Sequence, residues 1–156
     1  MKLQFTASNT ISSRLIRWAL GEPVSHVAIE FPDGLVVHSK LLTGVTLEWT
    51  SEFHSKNKVI YTVNYPIHWR VRKDLLKFVL DLHAKASYDY KGLLYFAWCA
   101  LKYKLFKIPY PPTITWQNAN QFLCTELAVK FIDSPIPHNK FITPYQLYKE
   151  LTDGRL

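Results

Sequence analysis

The segment SHVAIEFPDGLVVHS, residues 25–39, constrains the fold more than any other. Two alternating apolar and polar runs flank Pro-Asp-Gly, the signature of two short antiparallel strands around a tight turn. With Pro32, Asp33 and Gly34 as a three-residue loop and Gly34 in the left-handed region, residue 31 faces residue 35 and paired numbers sum to 66. Val27, Ile29 and Phe31 then share one face, and His26, Ala28 and Glu30 the other. His38 falls opposite Ala28, diagonal to His26, with the two backbones roughly 7–8 Å apart. A two- or four-residue loop would reverse the parity and separate the rings. Two histidines on a sheet surface would also satisfy this pattern without any chemistry. A metal site needs a third ligand, and Glu30 lies about 13 Å along the strand from His26, too far for one ion.

The rest of the chain reads as further strands, then helices. KLQFTA is a first strand, and VTLEW (45–49) and KVIYTVNY (58–65) are others, with TSEFHSK a short helical turn between them. NTISSRLIRWALG has Ile11, Leu15, Ile16 and Ala19 at helical spacing, Asn9 or Thr10 as cap and Gly21 as stop. RKDLLKFVLDLHAK (72–85) carries Leu75, Leu76, Val79 and Leu82 on one stripe. A helix over 91–105 must end before Pro109, Pro111 and Pro112. Two more are expected, from about Asn120 to Asp133 and from Pro144 onward. The order predicts one α+β domain over residues 1–156.

Composition limits the function classes. Hydrophobic residues make up 48% of the 156, which excludes a disordered chain. The net charge of +7 suits an anionic polymer, a membrane surface or nucleic acid. The basic residues are dispersed and no recognition motif accompanies them, so nucleic acid ranks last. No stretch reaches the roughly 18 apolar residues of a spanning helix. The N-terminus lacks the apolar run of a secretory signal, and a cytoplasmic protein is expected. Two cysteines are too few for a disulfide scaffold or a thiolate zinc site, and nothing calls for a cofactor.

The cysteines differ in setting. Cys99 sits amid apolar residues in YFAWCALKY and reads as inert core. Cys124 opens a helix in QNANQFLCTELAVKF, with Asn118 and Asn120 as caps. The positive end of a helix lowers a thiol pKa, and its free N–H groups can hold an oxyanion. The alternative for Cys124 is a small buried hydrophobe. Glu126 reads as a structural hydrogen-bond partner. Tyr88 and Asp89 line a cleft or form a turn.

Taken in order, SRLIRWALGEPVSHVAIEF, LVVHS, YDYKGLL, FLCTELAVKF and ITPYQLY resemble the YiiX-like branch of the permuted NlpC superfamily, papain-like thiol enzymes in which the His strand precedes the Cys helix. The twelve-residue step from His26 to His38 is also similar to lecithin:retinol acyltransferase-like proteins. The resemblance covers about Ser13 to Leu147. It implies a circularly permuted papain-like fold, with Cys124 the nucleophile, His26 the base and His38 the residue that orients it. YiiX-like members often carry a carboxylate where His38 stands, which makes Glu30 an alternative third member. Leu123 stands where the acyltransferase-like pattern has asparagine. The resemblance implies hydrolysis of peptide amide bonds, cell-wall peptides first, by a thiolate–imidazolium pair, with release at host lysis if the gene is viral. Its alternatives are a lipid-directed acyltransferase or amidase, and an inactive peptide- or lipid-binding module.

Overall fold

The alternating strands of the N-terminal half assemble into one antiparallel sheet. A computed structural model describes residues 1–40, 43–66, 77, 79–81, 87, 88, 90–109, 111, 121–132, 136 and 142–153. The strands are β1 (Lys2–Ala7), β2 (His26–Glu30), β3 (Leu35–Lys40), β4 (Gly44–Trp49) and β5 (Lys58–Asn64), in spatial order β4-β3-β2-β1-β5. The helices are α1 (Ile11–Leu20), α2 (Thr50–Lys56), α3 (Tyr90–Phe106), α4 (Cys124–Phe131) and α5 (Pro144–Thr152). A short parallel pair, β6 (Ser87–Tyr88) with β7 (Gln121–Phe122), was not legible in the sequence. The class is α+β.

The 25–39 hairpin has the register that a three-residue loop requires. Ile29 faces Val37 and Glu30 faces Val36, so paired numbers sum to 66. Gly34 has φ +81°, and the Phe31 N–H donates to the Leu35 carbonyl at 2.8 Å. Both faces of the sheet are covered. Leu3, Phe5, Val27, Ile29 and Phe31 pack with Leu127, Ala128 and Phe131 of α4 and Leu147 of α5. On the other face, Ala28 and Val36 pack with Phe53 of α2.

The helix caps explain where the helices begin. Thr10 caps α1 through the Ser13 N–H, and left-handed Gly21 (φ 68°) ends it. Thr143 and Gln146 form a reciprocal capping box at α5, with Pro144 just inside. α4 starts later than the expected Asn120. Residues 121 and 122 are strand, Leu123 is the cap residue, and the Glu126 carboxylate accepts the Leu123 N–H at 2.9 Å. Asn118 and Asn120 lie outside the described residues, as do Asp89 and most of the 72–85 helix. Of that helix, residues 77 and 79–81 are helical, with Val79 in the core.

One apolar stripe is placed contrary to the usual rule. Ile11, Leu15 and Trp18 of α1 are exposed, and the buried residue of that helix is Ser13. α1 turns its apolar side toward α3 and solvent instead of the sheet.

Candidate active site

The site grows from a defect in the β2–β3 ladder. The Phe31 bond marks the odd-numbered amides of β2 as those facing β3. Pairing runs through Ile29↔Val37, and its next step would join Val27 to Ser39. There the Val27 N–H points instead at the sulfur of Cys124, the first residue of α4. The thiol thus sits at the open end of the hairpin, where the backbone donor beside His26 meets a helix N-terminus.

His26 and His38 meet as the register allows. The His26 Nε2 and His38 Nδ1 atoms are 3.0 Å apart, with ring planes 71° to each other. His38 is 3% exposed and packs edge-on against Phe53, ring centroids 5.0 Å apart. On its far side, His38 Nε2 lies 2.9 Å from Glu48 Oε1, off the line of an ideal hydrogen bond. Glu48 Oε2 in turn accepts from Lys40 Nζ at 2.6 Å.

This chain fixes the tautomers by elimination. A bare ring nitrogen facing a carboxylate would set two lone pairs against each other, so His38 Nε2 carries the proton. His38 Nδ1 is then an acceptor, and His26 Nε2–H donates to it. The remaining nitrogen of His26, Nδ1, keeps its lone pair and is the basic atom. Glu48 was missed in the sequence reading. It lies on β4, where His38 pairs with Thr46 and Val36 with Glu48, so it is the diagonal neighbour of His38. The connection between the strands passes through residues 41 and 42, outside the described residues, and its length gave no register.

Cys124, His26 and His38 line one pocket of about 280 Å³, with Ser13, Ser25 and Lys40 among its other walls. Glu30 does not join them. It accepts from Lys2 Nζ at 3.2 Å and from Gln4 at the other end of β2. Tyr88 is in β6, and Asp89 lies outside the described residues.

The resting charge state differs from the expected ion pair. Burial pushes the Cys124 thiol up to about 11. The N–H groups of Val27, Thr125 and Cys124 pull it down by less, and the Glu126 carboxylate adds to the rise. Burial also lowers His26 to about 3, helped by the neighbouring His38 and opposed by Glu48. His38 falls to about 3 through burial and the nearby Lys40 and Lys56. The desolvation of two half-enclosed groups outweighs the helix terminus. Burial thus favours the neutral form of the thiol and of both imidazoles.

Comparison with protein-family models, curated proteins and solved structures returned no match. No helix among the described residues is long and apolar enough to cross a membrane.

Proposed function

We propose that the chain is a cysteine hydrolase of permuted papain-like type, using Cys124, His26 and His38 with Glu48 behind them. The supporting observation is that His26 and His38, 3.0 Å apart and backed by Glu48, line the same pocket as Cys124. His26 Nδ1 takes the thiol proton as sulfur attacks an amide or ester carbonyl carbon. A C–S bond forms, and the carbonyl π electrons move to oxygen, near the Cys124 N–H. Collapse of the intermediate breaks the bond to the amine or alcohol, which takes the proton from imidazolium. Water, deprotonated by the same nitrogen, then releases the acid and the free thiol. Because the pair rests neutral, His26 acts as a general base during attack and no preformed thiolate is used.

Serines, Lys40 and Lys56 in the pocket wall can hydrogen-bond a peptide backbone, and peptide amides, including cell-wall peptides, are the first reading. A lipid acyl substrate is the second. It is favoured by an apolar groove of about 320 Å³ between α1 and α3, which shares Ser12 and Ile16 with the catalytic pocket. The deciding experiment acylates the protein with p-nitrophenyl acetate and locates the adduct by mass spectrometry. A thioester on Cys124, slowed by His26→Ala and absent from Cys99, is expected. Equal acylation in His26→Ala, or none at Cys124, would sink the reading.

A further inference from the structure

We infer that the exposed face formed by α1 and α3 docks on an anionic lipid bilayer surface. The inference stands beside the catalytic reading and does not depend on it.

α3, YKGLLYFAWCALKYKLF, spreads its apolar residues round the helix instead of along one stripe, the pattern of a core or membrane helix. Yet it exposes Leu94 (72%), Trp98 (53%), Leu105 and Phe106 (70%). At 17 residues it is shorter than the roughly 20 that span a bilayer. α1 packs beside it, its exposed Leu15 and Trp18 line a groove with Leu94, and Ile11 is exposed at the start of the same helix. Large exposed apolar side chains gathered on two packed helices mark an interaction site.

Its charge identifies the partner. Neither helix contains Asp or Glu. Arg14 is exposed one turn from Ile11 and Trp18, on their side of α1. Lys104 Nζ lies 3.5 Å from the Trp18 ring centroid, and Lys102 Nζ lies 5.0 Å from that of Trp98. Lys107 Nζ lies 5.6 Å from the centroid of Tyr103. Aromatic rings interleaved with lysines fit the boundary between acyl chains and phosphate headgroups. A second copy of this chain fits poorly, because a two-fold interface would set the basic face against itself. Single-stranded nucleic acid would use the rings and lysines but leave Ile11, Leu15, Leu94 and Leu105 without a role.

The test is co-sedimentation of the full chain with vesicles of phosphatidylcholine alone and of equal parts phosphatidylcholine and phosphatidylglycerol. Binding to the anionic vesicles, weakened as ionic strength rises from about 0.1 M to about 1 M, is expected. Replacing Lys102, Lys104 and Lys107 by Gln removes about fivefold per charge, on the order of a hundredfold together. The pair Trp98→Ala and Phe106→Ala lowers affinity at least about tenfold. Amide hydrogen exchange of the unaltered protein gives a readout that needs no variant, with vesicle-induced protection confined to α1 and α3. Absence of binding overturns the proposal. So does protection of another element, competition by oligonucleotide, or a concentration-dependent dimer that these substitutions abolish.

Discussion

Mild acid should destabilise this protein through its paired histidines, by an amount the structure sets. Both rings are held neutral, His38 with its pKa lowered from 6.5 to about 3 by burial and by Lys40 and Lys56. The unfolded chain binds a proton at His38 below pH 6.5, and the folded chain does not until near pH 3. The stability that the neutral site contributes is therefore complete above 6.5 and is lost as pH falls toward 3. Each pH unit in that window costs about 1.4 kcal/mol, so going from about pH 7 to about pH 5 removes about 2 kcal/mol through His38. His26, lowered to about 3 chiefly by burial and then by His38, adds a comparable loss. Together they remove up to about 4 kcal/mol, less what the Glu48 carboxylate, 2.9 Å from His38 Nε2, gives back by favouring its protonation. Urea unfolding at the two pH values measures the loss, and His38→Gln should halve it. Glu22, whose carboxyl burial raises, works in the opposite direction. It does so equally in both proteins, so their difference isolates the imidazole. Equal midpoints at the two pH values, or a parallel loss in His38→Gln, would refute the neutral pair.

Four other substitutions test three separate links. Two contacts near 3 Å and one ring width put the Glu48 charge about 8 Å from the His26 ring, worth about 2 kcal/mol at an effective dielectric of about 20. Glu48→Gln should slow Cys124 acylation about 30-fold and Lys40→Met should speed it, as followed by p-nitrophenol release; slowing in both would mean disruption rather than charge. Glu126→Ala removes the carboxylate on the Leu123 N–H and a neighbouring charge from the thiol. It should cost about 1 kcal/mol in thermal unfolding and shift Cys124 alkylation to lower pH. Gly34→Ala meets nothing within 4 Å at its new Cβ, so its cost is the backbone at φ +81° alone. Urea denaturation should show about 1 kcal/mol, with acylation kinetics unchanged.

The hairpin was readable because its determinants are local. Gly34 selects the loop, the loop selects the register, and the register puts His26 and His38 on one diagonal. Glu48 was not readable because its place depends on a second hairpin whose loop carries no comparable turn signal. Glu30 had the right parity on β2 but the wrong end, where Lys2 and Gln4 hold it. The periodicity of α1 was also sound, while the side it faces was not. Ile11, Leu15 and Trp18 repeat like core residues, and spacing alone cannot separate a face turned to the sheet from one turned outward.

The thiol shows why charge state was harder to read than position. A helix N-terminus lowers a cysteine pKa, and the sequence places Cys124 there correctly. The hairpin that delivers His26, however, also encloses the thiol, and enclosure penalises thiolate and imidazolium alike. Glu48 offsets part of that penalty on one side only, because it acts through His38 on the ring that must become positive. In the proposed reaction an acyl substrate would supply the other side. As its carbonyl took up the sulfur and the thiol proton moved to His26, negative charge would develop on an oxygen near the helix N–H groups, not on the buried sulfur. The imidazolium would then form together with an oxyanion that the backbone can hold, not beside a thiolate that it must shelter. On this account the neutral resting pair and a working relay are compatible, since the relay needs to stabilise charge only while the acyl bond is changing.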